Sequence, residues 1–406
     1  MLVVKKFGGS SVADKERILN VAKRCAEDFQ KGNEVVVVLS AMGKTTDGLI
    51  SQALEFTPTP KKREMDMLLA TGEQVSVAMM AIALGSMGIP AISLNAFQVA
   101  MHTTSEYSNA RFKRIDTERI HHELDAGKIV IVTGFQGINK YDDLTTLGRG
   151  GSDTTAVALA AALHADACEI YTDVEGVYTA DPRIVPNARK LKEITYDEML
   201  ELATLGAKVL HNRSVEMAKK YGVQLVVRSS LNTAEGTVVK EETKVERMLV
   251  SGVASDKNTA RIAIIGVKDE PGVAFRIFQL LAKANISVDI ILQSIGRNGT
   301  KDISFTVAKT DLHDALKVLE ENNARIGAEK VEADENVAKV SVVGAGMQTN
   351  AGVASDMFEA LYNVGVNIRM IATSDIRITV LINEADVDKA VKAVHDKFMP
   401  DNAMFS

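Results

Sequence analysis

Five consecutive apolar residues, Val35-Val36-Val37-Val38-Leu39, constrain this chain more than any other feature. An unbroken β-branched run reads as a strand, and a strand without a polar face must be covered on both sides. The same texture returns in Leu2-Val3-Val4, Ala91–Leu94, Ile129–Thr133, Cys168–Thr172 and Gln224–Arg228. Between these runs lie segments with helical spacing: Arg17–Phe29, Lys61–Leu84, Thr154–Leu163, Tyr196–Leu205 and Val209–Tyr221. Gly85 and Gly88-Ile89-Pro90 end the second of these helices. Strands alternating with helices predict an α/β fold with a mainly parallel sheet and helices on both faces.

Near residue 230 the texture changes. Ser229–Gly236 is polar and Glu241–Arg247 is dense in charge, as at a domain boundary. An internal repeat follows. Phe275–Leu281 aligns with Ser355–Leu361, and Asn285–Ile291 with Gly365–Ile371, both at an offset of 80 residues. Each copy reads strand, helix, strand, strand, helix, the split βαβ pattern of a ferredoxin-like unit. The second copy lacks a final strand, whereas Leu249–Val253 is surplus before the first. The expectation is that Leu249–Val253 completes the sheet of the second copy. The expected domains are 1–245, 246–330 and 331–406, with strands exchanged between the two small units.

A chain of 406 residues is too long for one core, in line with two or three domains. A net charge of −6 without a basic block disfavours nucleic acid or an anionic membrane as partner. No apolar run is expected to span a bilayer, and no signal-peptide pattern precedes the first strand, so the cytoplasm is expected. Cys25 and Cys168 are too few for a disulfide framework and read as small buried hydrophobes. The Met-rich run Met65–Met87 reads as core.

The chemistry-bearing residues cluster in a few segments. Lys5-Lys6-Phe7-Gly8-Gly9-Ser10-Ser11 ends the first strand in a glycine turn before a helix. Such a turn suits an anion, although a plain strand-to-turn junction has the same composition. Gly43-Lys44-Thr45 is not the end of a P-loop, because position 38 is Val rather than Gly. Gly148-Arg149-Gly150-Gly151-Ser152-Asp153 flanks an arginine with glycines at a helix start. It fits a bidentate carboxylate clamp or a loop with Ser152 or Asp153 as helix cap. Thr172–Tyr178, followed by Asp181-Pro182-Arg183, lies at the carboxyl end of a strand, where open α/β sheets bind ligands. Lys208, in Gly206–His211, places a cation at an expected helix start, which makes sense beside an anion. Glu73 sits in an apolar helical stretch and needs a partner, either a salt bridge or a ligand ammonium. His211 and His121-His122 have no carboxylates at metal-ligand spacing and read as structural.

Taken in order, Lys6–Ser11, Gly148–Asp153, Thr172–Tyr178 with Asp181-Pro182-Arg183, and Gly206–Ser214 resemble the aspartate kinases of the amino acid kinase family. The paired repeat resembles ACT domains, and the resemblance spans essentially the whole chain. It implies a monofunctional enzyme that phosphorylates the side-chain carboxylate of L-aspartate with ATP, giving 4-phospho-L-aspartate. In that reading Lys6 stabilises the transferring phosphoryl group beside the Gly8 and Gly9 amides, and Asp153 orients a catalytic lysine or the magnesium shell. Arg149 clamps a substrate carboxylate and Glu73 holds its ammonium. Ser40, Thr45, Gly150, Gly151 and Ser152 complete the aspartate site. Phe7, Ser10, Thr172, Asp173, Tyr178, Arg183 and Lys208 line the nucleotide. Mg2+ enters with ATP, without a dedicated protein cage.

The resemblance further implies an effector pocket where the repeats meet, for lysine, threonine or both. Its candidates are Asp269, Gly272, Val273, Ala274 and Gln293 from the first copy, and Asn367 and Ile368 from the second. Ala351 stands where the first copy has Pro271, which implies a looser loop. A homo-oligomer through the ACT domains is implied, and Met248 is a candidate internal start for a small subunit. Two other readings stay open: a kinase of another amino acid such as glutamate, and a ligand-sensing protein without turnover.

Overall fold

The computed structural model describes residues 1–206, 209–241, 249–294, 296 and 299–400; for 348 and 349 it describes the backbone alone. Lys208 and Met248 lie outside the described residues. The chain forms two compact bodies. The first comprises Met1–Tyr178, Lys190–Thr204 and Lys208–Glu246, and the second Thr179–Arg189, Leu205–Ala207 and Arg247–Ser406.

An eight-stranded sheet is the frame of the first body. Its order is Glu193–Thr195, Thr237–Lys240, Leu225–Ser229, Ala167–Thr172, Leu2–Phe7, Glu34–Leu39, Ile129–Thr133 and Ala91–Leu94. All neighbours pair in parallel except Leu225–Ser229 with Thr237–Lys240. Val35, Val37 and Leu39 pack with Ile18, Val21 and Cys25 of helix Lys15–Gln30 and with Val77 and Met80 of helix Lys62–Ser86. Val36 and Val38 are fully buried as well, so the strand is covered on both faces. Both cysteines are buried; burial pushes the Cys25 thiol up to about 12 and raises that of Cys168, leaving both as neutral thiols at neutral pH.

Helix Lys62–Ser86 is, by length and composition alone, long and apolar enough to cross a membrane, and half of its apolar window is buried inside the fold. Asp66 and Glu73 lie on its buried face. A second sheet, in the order Phe112–Arg114, His102–Thr103, Gln136–Ile138 and Leu144–Thr146, leads into the Gly148–Asp153 segment.

Six strands form the sheet of the second body, in the order Val288–Gln293, Thr300–Val307, Gly252–Lys268, Lys330–Val343, Arg377–Asn383 and Met370–Ser374. The two central strands run through both repeats. Gly252–Asp256 pairs with Val343–Lys339 of the second repeat, and Arg261–Ile265 pairs with Asp334–Lys330 of the first. Val250 and Val253 pack into the second repeat's core with Val340, Val342 and Leu361. The surplus segment therefore completes the second sheet, although its strand begins only at Gly252. Thr179–Arg189, which follows the Thr172–Tyr178 loop in sequence, belongs to this body. The Thr179 carbonyl accepts from the Val253 amide at 2.7 Å, and its hydroxyl lies 2.9 Å from His395 Nε2.

Candidate active site

Chain order along the eight-stranded sheet reverses between Leu2–Phe7 and Ala167–Thr172. At such a switch point the loops leaving the carboxyl ends of the strands part and open a crevice. Lys6–Ser11 leaves one of these strands and Thr172–Tyr178 the other.

Successive residues of a strand face opposite sides, so Lys5 and Lys6 have separate fates. Lys5 is buried against Asp28, at 2.6 Å, and Glu169. Lys6, also mostly buried, places its Nζ 2.6 Å from Asp153 Oδ1. Gly8 and Gly9 then pass closely over neighbouring chain. A Cβ on Gly9 would come within 2.7 Å of the Ala41 carbonyl oxygen, so only glycine lets this turn lie on residues 41–43. The turn Gly9–Val12 is a 3-10 helix, and the following helix Lys15–Gln30 is capped by Asp14, whose side chain accepts from the Arg17 amide at 2.9 Å. The anion-favouring end of that helix is thus occupied by its own aspartate.

The open helix end is that of Gly151–Ala162. Gly150 is its N-cap, at φ +68°, and no side chain caps it, so neither Ser152 nor Asp153 acts as the cap. A Cβ on Gly150 would overlap the His211 ring. The Gly151 amide donates to the Gly148 carbonyl at 3.0 Å; the next amides belong to Ser152 and Asp153, and Asp153 is the residue that holds Lys6. A lysine, a glycine turn and an uncapped helix end thus converge, a combination suited to phosphate oxygens.

The aspartate-side candidates are knitted to the same place. Ser40 Oγ lies 2.9 Å from Ser152 Oγ, and the Ser40 amide donates to the Phe7 carbonyl at 3.2 Å. Glu73 is 2 % exposed; its Oε1 accepts from the Ala41 amide at 3.0 Å, whereas its Oε2 is buried without a hydrogen-bond partner among the described residues. Burial pushes its carboxyl from 4.5 up to about 7, against the pull of the Ala41 amide. Thr45, exposed at the start of helix Thr45–Phe56, donates its hydroxyl to the Met42 carbonyl at 2.6 Å. Arg149 is exposed, and among the described residues no ion pair or hydrogen bond engages its guanidinium. Glu73 is thus a buried acidic group and Arg149 an exposed cationic one.

Of the nucleotide candidates, Thr172 closes its own loop through the Val174 amide at 3.0 Å, Asp173 is exposed, and Tyr178 donates to Glu175 at 3.4 Å. Arg183 belongs to the second body, where its guanidinium pairs with Asp181 at 2.7 Å. The helix expected from Val209 begins at Asn212 and is N-capped by His211, so Lys208 precedes the helix start by four positions (212 − 208). Burial also lowers the His211 pKa, keeping the capping ring neutral.

The effector candidates divide. Asp269, paired with Lys301 at 3.0 Å, Gly272 and Ala274 flank the start of helix Val273–Lys283, with Val273 buried in the first repeat's core. Gln293 ends the strand at one edge of the six-stranded sheet; Asn367 and Ile368 precede the strand at the opposite edge. Five strand spacings separate these edges, about 24 Å. Gln293 thus lies far from Asn367 and Ile368 within one chain, whereas Asp269, Gly272, Val273 and Ala274 follow the central strand Gly252–Lys268. Ala351 does not alter the turn geometry: Gly352 has φ +105° where Gly272 has +91°.

Fold and site together define a phosphotransferase of the amino acid kinase type joined to a pair of ACT domains. The amino acid kinase family profile matches residues 1–229, and an ACT domain profile matches 262–322 and 340–398. The aspartokinase of Bacillus sp. (strain MGA3) is 50% identical over 398 residues, covering 98% of this chain and 97% of that protein. E. coli aspartokinase III in complex with aspartate and ADP superposes with a TM-score of 0.81 at 27% identity, covering 98% of this chain and 99% of that one. Its complex with lysine and aspartate gives a TM-score of 0.76 at 28% identity over 98% of this chain and 99% of that one. The chain belongs to the aspartokinases of the amino acid kinase family.

Proposed function

We propose that this chain transfers the terminal phosphoryl group of ATP to the side-chain carboxylate of L-aspartate, giving 4-phospho-L-aspartate and ADP, through the residues gathered around Lys6. The observation that carries the substrate assignment is Glu73, a buried carboxylate with one oxygen left without a partner. Leaving such an oxygen bare costs free energy that a ligand ammonium recovers.

The attacking side-chain carboxylate is already ionised near neutral pH, so no general base is needed. Catalysis is then positioning and charge neutralisation. Lys6 donates to the phosphoryl oxygens in transit, and Asp153 orients Lys6, as their 2.6 Å contact supports. The Gly8 and Gly9 amides and the uncapped start of helix Gly151–Ala162 add donors. Glu73 receives the substrate ammonium, Arg149 clamps its α-carboxylate, and Ser40, Thr45 and Ser152 add hydrogen bonds. Thr172, Asp173, Tyr178 and Lys208 hold the nucleotide.

ATP chemistry requires a divalent ion, Mg2+ in this reading, which when bound neutralises phosphate charge. Asp153, beside the Lys6 ammonium, would be the carboxylate that orients the shell of an ion brought by the nucleotide.

The reaction opens lysine, threonine and methionine biosynthesis, and end-product amino acids feed back at the ACT pair. Lysine, threonine or both are the effectors in our reading. The separation of the two edges within one chain, and Ile291, Leu292 and Ile371 exposed on the edge strands, support completion of the effector pockets by a second copy. The homo-oligomer then forms through the ACT domains, in the cytoplasm. A coupled ADP-release assay with L-aspartate, L-glutamate and no acceptor tests the activity. Turnover with aspartate alone is expected; equal turnover with glutamate contradicts the assignment.

A further inference from the structure

Asp66 is a fully buried carboxylate that the mechanism above does not use. No cation pairs with it among the described residues. Its two oxygens instead accept from four donors: the Ser108 amide at 2.8 Å, the Ser108 hydroxyl at 3.2 Å, the Thr146 amide at 2.9 Å and the Thr146 hydroxyl at 2.8 Å. Arg213 does the converse, spending its guanidinium on main-chain acceptors. Its Nη1 donates to the Leu147 carbonyl at 2.8 Å and its Nη2 to the Ala110 carbonyl at 2.6 Å.

These contacts converge on one short stretch of chain. Thr146 ends strand Leu144–Thr146, Leu147 follows it, and Gly148-Arg149 comes next. The Ala110 amide donates to the Thr146 carbonyl at 2.9 Å, tying the 108–110 turn to the same stretch. Gly148, at φ +77°, lies against that turn, where a Cβ would come within 3.0 Å of the Ser108 carbonyl oxygen. On the far side Gly150 rests on the His211 ring. The main chain on both sides of Arg149 is therefore pinned, while its side chain is exposed and unengaged among the described residues.

We infer that Asp66 and Arg213 are positioning residues that hold Arg149 at the height and angle needed to grip the α-carboxylate of the amino acid substrate. The inference rests on the reading of Arg149 as that clamp. The charge on each residue matches its task. A carboxylate accepts from four donors at once, which an amide cannot do, and a guanidinium forks across two carbonyls, which an ammonium does poorly.

The test compares L-aspartate with L-aspartic acid α-amide, which lacks the α-carboxylate charge, as substrates of the full chain. Arg213→Met and Asp66→Asn are expected to raise KM for aspartate about tenfold or more and to lower the preference for aspartate over the amide by a similar factor. KM for ATP is expected to stay within about twofold. A purely structural lesion would lower the active fraction and leave the preference for aspartate intact. Should Asp66→Asn not fold, Thr146→Val, which removes one of the four donors, gives the same readout with a smaller effect. Arg149→Ala separates the two layers of the argument. If Arg149→Ala loses the preference while Arg213→Met and Thr146→Val keep it, the positioning role is overturned and the clamp stands. If Arg149→Ala keeps the preference, the clamp falls, and the positioning role falls with it.

Discussion

Two buried charges of the catalytic body, Lys6 and Glu73, are handled in opposite ways. Lys6 is matched inside the protein by Asp153 at 2.6 Å. Glu73 is only half matched, by one backbone amide, and its carboxyl is pushed up to about 7. Desolvating a charge without a partner is costly, so the difference marks two roles. In the proposed reading the lysine is held ready for a group that arrives and leaves within each turnover. The glutamate is left half-satisfied, and in the proposed reading the substrate ammonium completes it.

The comparison breaks most visibly at Lys6. Lys6→Ala is expected to lower kcat by about a thousandfold or more while circular dichroism stays that of the folded chain. A kcat within tenfold of the parent removes Lys6 from phosphoryl stabilisation. Glu73→Gln keeps the shape and removes the charge. Its expected effect falls on aspartate alone, with KM for aspartate up about tenfold to a hundredfold and KM for ATP unchanged.

The pH response sharpens the contrast. The folded value for Glu73 lies above the unfolded 4.5, so the folded chain holds the extra proton between these limits. Stability from this group is fully present below about 4.5 and is lost as pH rises through about 7, by about 3 kcal/mol in total. Thermal unfolding of the parent should therefore weaken relative to Glu73→Gln between pH 5 and pH 8; parallel curves contradict it. The smallest effect belongs to Ser40→Ala. It removes the 2.9 Å bond to Ser152 and should cost less than about tenfold in kcat/KM for aspartate.

Much of this was legible in the sequence, and the reasons are physical. Val35–Leu39 and Ile129–Thr133 read correctly because a strand buried on both faces has no polar alternation to confuse it. Leu249–Val253 is legible by counting strands between the two repeats, although its strand begins only at Gly252. Glu73 stands out because a charge in an apolar setting demands an explanation, and Lys6 and Asp153 because each borders a glycine turn at a helix start. What escaped was whatever depends on long-range placement. His102–Thr103 and Gln136–Ile138 are strands too short to carry a period. Asp66 and Arg213 have partners 42 to 103 residues away, with no local signature. The opposite edges of Gln293 and of Asn367 and Ile368 had no sequence signal, because a repeat alignment shows which residues are equivalent, not which sheet edge each occupies. Nothing local marks Thr179–Arg189 as part of the second body, since its allegiance rests on Ala180 and Val185 packing against a core assembled from residues after 249.

The central claim is that Glu73 is reserved for the substrate ammonium, and aspartate binding measured by calorimetry at pH 7 in buffers of different ionisation enthalpy tests it directly. With a value near 7 in the free chain, Glu73 is about half protonated, and an incoming ammonium drives it to the carboxylate. The account predicts release of about half a proton per aspartate bound, abolished in Glu73→Gln. Binding without proton release, or the same release in parent and variant, contradicts it.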